Sequence, residues 1–102
     1  MSNRFTESAR EDRRLVLLKL LSEQIGYRAN SSNLHAGLYK LGIVASRDDV
    51  ATELHWLRDQ GLLRLEEVPE APGLTVAEIT LRGDDVAHGR AIVPGVRKPA
   101  PR

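Results

Sequence analysis

The chain has 102 residues, room for one modest core and one domain. Hydrophobic residues make up 41% and charged residues 28%, an ordinary balance for a soluble protein, and the absence of cysteine excludes a disulfide framework and any thiolate metal site. The net charge of +1 conceals an asymmetry: residues 90–102 carry Arg90, Arg97, Lys98 and Arg102 without an acid, whereas residues 1–89 hold eleven basic against fourteen acidic side chains.

A body with an acidic excess is unusual for a strong nucleic-acid binder. Twelve of the fifteen basic residues are arginine, the side chain better suited to bidentate phosphate contacts. The apolar run Leu15–Leu21 is too short to span a bilayer, and no signal-peptide cleavage pattern is present. With no cysteine, the expected location is the cytoplasm, with no membrane partner.

Residues 1–7 read as a flexible N-terminus. A helix is expected from near Ser8 to Ile25, stopped by Gly26. Leu15, Leu18 and Ile25 form one stripe, and Val16, Leu17, Leu20 and Leu21 widen it, so the helix is apolar on nearly every side. Such a helix is normally covered all round. One small domain covers one face and a second copy could cover the other, which makes Leu15, Val16, Leu17, Leu20 and Leu21 candidates for a homodimer contact. The competing reading is a central core helix of a monomer.

After a connector at 27–31, Ser31 or Ser32 is placed to cap a helix over 32–41, with Leu34, Leu38 and Leu41 inward and Gly42 at its end. A short apolar turn, Ile43-Val44-Ala45, leads into a third helix over 46–60. Ser46 is a good N-cap, and Asp49 three residues on is a relative of the Ser-x-x-Glu capping box. Val50, Leu54 and Leu57 share one face, and Gly61 supplies a left-handed stop.

Residues 62–68 and 74–81 alternate as strands around the turn Pro69-Glu70-Ala71-Pro72-Gly73. A two-stranded ribbon is marginal alone and must pack on the helices. Residues 83–90 suit a short last helix. Ile92–Val96 begins an extended basic tail, and residues 98–102 read as disordered.

Two helices, a turn, a third helix and a hairpin give the order of a winged helix-turn-helix, a mainly α fold with a small β-hairpin (α+β). The run Leu54-x-x-Leu57-x-x-x-Gly61-Leu62-Leu63 resembles the segment that closes the recognition helix and enters the wing in bacterial winged-helix regulators. Ile79-Thr80-Leu81-Arg82-Gly83, followed by Asp84-Asp85-Val86-Ala87, resembles the exit from the wing into a last helix. The likeness covers roughly residues 10–90, the winged-helix domain being 8–90 and the tail 91–102. Size and order are similar to ArsR-like regulators. With its Gly89-Arg90 and Pro94-Gly95-Val96 tail, the whole chain also resembles small ArsR-like proteins of Mu-type phages and prophages.

The resemblance implies a DNA-binding transcriptional regulator, acting as a dimer, with double-stranded DNA as partner. Helix 46–60 would lie in the major groove and the wing tip near 69–73 would touch the flanking backbone. The residues this assigns to DNA are Arg47, Asp48, Thr52, His55, Arg58, Arg64 and Arg28. On a helical wheel Asp48, Thr52, His55 and Asp59 face outward with Trp56 at one edge, while Arg47 and Arg58 lie to the other side of the core stripe. Trp56 is expected at the junction of this helix and the wing. Two aspartates on a reading face, with Glu66, Glu67 and Glu70 in or near the wing, repel phosphate unless arginines outnumber them. Other basic residues, Arg4, Arg10, Arg13, Arg14 and the tail, could supply backbone contacts. The acidic face also supports an alternative, a winged helix serving as a protein–protein interaction module in phage assembly or a nucleic-acid-processing complex.

His35, His55 and His88 are scattered over different elements, so metal sensing is not supported. No nucleophile–base pair, phosphate loop or metal-ligand spacing is visible, so neither an enzyme nor a cofactor is expected. Ser31 and Ser32 near His35 are explained by capping, and Asp84-Asp85 by the acidic first turn of a helix.

Overall fold

A computed structural model describes residues 3–100 of the chain. Four helices and three strands follow the order α1 (Asn3–Ser22), β1 (Arg28–Asn30), α2 (Ser31–Lys40), α3 (Arg47–Asp59), β2 (Leu63–Glu67), β3 (Thr75–Ile79) and α4 (Leu81–Ala87). The sheet is antiparallel with order β1-β3-β2. This is the α+β winged-helix architecture expected from the sequence.

α1 starts earlier and stops sooner than its apolar pattern suggests. Residues 3–7, expected to fray, are helical. They contain neither Gly nor Pro, so helix extends from the packed section at one hydrogen bond per residue. Residues 1 and 2 lie outside the described residues. At the other end, the helix stops at Ser22, whose hydroxyl donates to the Lys19 carbonyl at 2.8 Å. A single 3-10 turn at Ile25–Tyr27 then reverses the chain into β1. Ile25, expected on the core stripe, is consequently fully solvent-exposed.

β1 was not expected from the sequence. Its three residues pair Arg28 with Glu78, Ala29 with Ala77 and Asn30 with Val76. The wing is therefore a three-stranded sheet, which relieves the marginal stability of a lone hairpin. Asn30, not Ser31 or Ser32, caps α2, its Oδ1 accepting from the Asn33 N–H at 2.8 Å. The Ser31 hydroxyl instead accepts from the Thr75 N–H, tying the start of α2 to the wing.

The core draws Leu17, Leu18 and Leu21 from α1, Leu34 and Leu38 from α2, and Val50, Leu54 and Leu57 from α3. Leu62, Leu63, Ala77 and Ile79 close it from the sheet side, with Val86 and Ala87 from α4. This packing favours the competing reading of α1, the central core helix of a single chain, over that of a dimer contact. Leu15, Leu17 and Leu21 are buried within one chain, and Val16 and Leu20 are partly buried against the same core. α2, α3, the sheet and α4 all pack on α1, so a single copy covers most of the helix.

The C-terminal segment is also bound to the body. Val93 and Val96 are buried in the core, and the Arg97 N–H donates to the Glu11 carbonyl at 3.2 Å. Burying each valine stabilises the docked form by about 1.5–3 kcal/mol, so the segment expected as the start of an extended tail is packed on the body. Residues 101 and 102, also expected to be disordered, lie outside the described residues. No helix among the described residues is long and apolar enough to cross a membrane.

Candidate nucleic-acid interface

α3 is defined at both ends by its own sequence. The Ser46 hydroxyl accepts from the Asp49 N–H at 2.9 Å, and the Asp49 carboxylate accepts from the Ser46 N–H at 3.0 Å, completing the capping box. The Ser46 N–H bond, with that hydroxyl and the charge of Arg13 behind it, holds the Asp49 carboxyl below its ordinary pKa. At the other end Gly61 adopts φ +76°, and the Leu62 N–H reaches back to the Leu57 carbonyl in a Schellman closure.

Val50, Leu54 and Leu57 anchor the inner face as expected. Asp48, Thr52, His55 and Asp59 are exposed, at the i, i+4, i+7, i+11 spacing of one face. Beside that face lies a groove of about 510 Å³, lined by Arg47, Asp48, Ala51, His55 and Arg58 of α3. Its other walls are Ser31 and His35 of α2, and Leu65, Glu67 and residues 73–75 of the wing. The structure therefore brings Arg47, Asp48, His55 and Arg58 together. Arg47 and Arg58 stand next to the wing, not beyond the core stripe. Thr52 shares the exposed face but lies outside the groove.

The groove is electrostatically mixed. Arg58 bonds its neighbour Asp59 at 3.1 Å, and Asp48 and Glu67 line the same groove as Arg47. His35 donates from Nε2 to the Ala45 carbonyl at 2.8 Å, fixing α2 to the turn before α3. His55 donates from Nδ1 to the Ala51 carbonyl, leaving Nε2 as the nitrogen open to a ligand.

Arg28 and Arg64, assigned to DNA with the others, are elsewhere. Strand pairing sets Arg28, Glu78 and Arg64 in one row across the sheet. Arg64 pairs with Glu78 at 3.9 Å and Arg28 with Glu66 at 3.7 Å. Both line a separate depression on the outer face of the wing. Side-chain alternation on a strand decides this: Leu65 must face the core, so its neighbour Arg64 faces away.

Two of the basic residues of 90–102 are engaged by carboxylates of the body. Arg90 bonds Asp85 and Asp84, each at 2.8 Å, and Arg97 bonds Asp12 at 3.4 Å. Trp56, expected at the junction with the wing, lies against Arg14 of α1 and Gly95 of the C-terminal segment. It packs on the other side of α3, with the Arg14 guanidinium 3.9 Å above its ring. Beneath it is a residue that sequence reasoning missed. Glu53 is only 2% exposed, and its carboxylate accepts from Arg14 Nε at 2.7 Å. The signal was available: Val50, Glu53, Leu54 and Leu57 follow i, i+3, i+4, i+7, so an acid occupies an inward position.

No family model matches the chain. It is 44% identical over 92 residues to gp26 of Escherichia phage Mu, covering 90% of this chain and 92% of gp26. The chain belongs to the phage Mu gp26 family. A Haemophilus influenzae protein is 47% identical over 78 residues, covering 76% of this chain and 74% of that one. Both relatives are described only as uncharacterized. Among solved structures, this gp26-family chain is similar to Sco3205, a MarR family transcriptional regulator from Streptomyces coelicolor in complex with DNA. The TM-score is 0.61 at 22% identity, over 88% of this chain and 55% of that one. AbsC, another MarR family regulator from Streptomyces coelicolor, gives a TM-score of 0.57 at 21% identity, over 69% of this chain and 44% of that one. The chain thus spans about half the length of these two regulators. The winged helix-turn-helix fold expected from the sequence is shared with them. Both are described as MarR family, so they lend no support to an ArsR-like subfamily.

Proposed function

We propose that this protein is a DNA-binding winged-helix regulator of Mu-like phages or prophages, which inserts α3 into the major groove and sets the wing against the flanking backbone. The observation that carries this reading is the open groove between α3 and the wing, with Arg47 and Arg58 on its α3 wall and the exposed row Asp48, Thr52, His55 beside it. Sco3205, the fold neighbour, is a regulator in complex with DNA. Arg47 and Arg58 contact phosphate. His55 Nε2 and Asp48 reach base edges, Asp48 accepting from a cytosine amino group. Two copies on a palindromic site would set their α3 helices about one DNA turn apart. Their mutual contact would use residues other than the buried leucines of α1.

The discriminating experiment compares two double variants by fluorescence anisotropy on duplex DNA. R47A/R58A removes the groove arginines and is expected to weaken binding and flatten its salt dependence. R28A/R64A removes the same charge from the outer face of the wing and is expected to leave affinity within about threefold, because exposed charges farther apart than a Debye length are largely screened. Equal losses from both would refute the assignment of the groove.

One observation favours a second reading. Asp48, Asp59 and Glu67 surround the same surface, a pattern that suits a basic protein partner. Absence of duplex binding by the wild-type protein at low salt would favour it.

A further inference from the structure

The C-terminal segment reaches α3 from behind. We infer that residues 91–97 form a clasp that, through Arg14, holds the recognition helix at its working position; the DNA consequence rests on the reading proposed above, the mechanical one does not.

Three contacts converge on Arg14 of α1. Its Nε donates to the buried Glu53 carboxylate at 2.7 Å, its Nη1 donates to the Gly95 carbonyl at 2.9 Å, and its guanidinium plane lies over Trp56. Glu53 and Trp56 both belong to α3. One side chain therefore joins α1, α3 and the C-terminal segment. A planar fork with several donors can make a carboxylate bond, a carbonyl bond and a stacking contact together, and a lysine cannot.

Gly95 is shaped for this role. It adopts φ +98°, and a Cβ there would sit 2.7 Å from Trp56 Cζ2 and Cη2 and 3.3 Å from Arg14 Nη1. Only glycine lets the backbone carbonyl approach so closely. The clasp is fastened on both sides of Gly95. Val93 and Val96 are buried, the Val96 N–H closes a turn onto the Val93 carbonyl, and Arg97 is bound to Glu11 and Asp12 of α1.

Its point of action is the inner face of α3, one residue from Thr52 and from His55. The wing is held independently, by the pairing of β2 with β3 and by Ser31 at Thr75. Loosening the clasp therefore shifts α3 relative to the wing and changes the groove between them. Arg14 and Gly95 act as positioning residues and never touch the nucleic acid.

The test uses the full chain carrying G95V. Trp56 is the only tryptophan, so its fluorescence reports release of the clasp through acrylamide quenching. Helix content is followed by circular dichroism, and amide exchange of α3 is compared with that of β2 and β3. The expected result is retained helix content, a more quenchable Trp56, faster exchange in α3 than in the sheet, and duplex affinity lowered about tenfold, the scale of substitutions acting through packed neighbours. R14K carries the same readouts should G95V fail to fold. An exposed Trp56 with unchanged α3 exchange and unchanged affinity would overturn the inference, leaving the segment as a mere cover for the core. If wild-type protein binds no duplex, the function proposed above fails, while the exchange comparison still decides the clasp.

Discussion

Gly83 offers a sharp test of how α4 is seated. It lies inside α4 and is buried. A Cβ built there would overlap the Leu62 carbonyl oxygen, and would stand 2.9 Å from the Leu62 carbonyl carbon and 2.8 Å from Ile79 Cγ1. Ordinary carbon–carbon contact is roughly 3.5–4.0 Å, so α4 must retreat by the order of 1 Å. The Leu62 backbone cannot yield, because its N–H is bound to the Leu57 carbonyl and its carbonyl to the Thr80 N–H. The retreat would also strain the Thr80 side chain, which caps α4 at the Gly83 N–H and donates to the Gly61 carbonyl at 2.8 Å. Overpacking of this kind costs about 1–3 kcal/mol, sometimes more. Helix propensity returns about 0.8–1.0 kcal/mol on replacing Gly by Ala. With backbone in the way the upper end applies, and a net loss of about 2 kcal/mol is expected for G83A. In a domain of this size that lowers Tm by roughly 8–16 °C. G37A is the matched control. There a Cβ meets only the Leu20 side chain, Cδ1 nearest at 3.0 Å, and Leu20 is partly buried, so the end of a flexible side chain rather than backbone must give. Its stability is expected to equal or exceed wild type by up to about 1 kcal/mol. Thermal melts of the three proteins decide it. If G83A melts at or above wild type, the seating of α4 on Leu62 is wrong.

Three further expectations follow from the packing and the charges. L17A or L21A should cost about 2–5 kcal/mol, with a deficit relative to wild type that does not depend on protein concentration, because both leucines are buried within one chain; a deficit that vanishes on dilution would restore α1 as a dimer contact. E53A should cost about 3–5 kcal/mol in urea titrations by stranding the Arg14 guanidinium in the interior, and an unchanged midpoint would contradict the buried pair. Asp49 is held below its ordinary pKa, first by the Ser46 N–H. Its stabilising contribution is therefore present above the unfolded carboxylate value of about 4 and is lost as pH falls through the lower folded value; D49N should be less stable than wild type at pH 7 and converge with it in acid, and a constant gap across pH would argue against the capping box.

The parts of the fold that were legible are those with local instructions. Ser46 and Gly61 bound α3 to within a residue of its observed ends, and Pro69–Gly73 marked the wing tip. What stayed hidden depends on distant partners. β1 is three residues long, too short for any period, and exists because β3 pairs with it. The apolar breadth of α1 was plain, yet sequence could not tell whether the same chain or a second copy covers it. Arg90 and Arg97 read as a basic arm until Asp84, Asp85 and Asp12 were found beside them. Within the site, helical spacing placed Asp48, Thr52 and His55 on the exposed face. The separation of Arg28 and Arg64 from Arg47 and Arg58 needed the sheet register.

The central claim is that α3 and the wing bind duplex DNA. The most direct measurement is anisotropy of labelled duplex titrated with wild-type protein at roughly 50 and 200 mM salt. The account predicts binding at the lower salt that weakens steeply at the higher. No binding at the lower salt, from protein that is folded by circular dichroism, would contradict it.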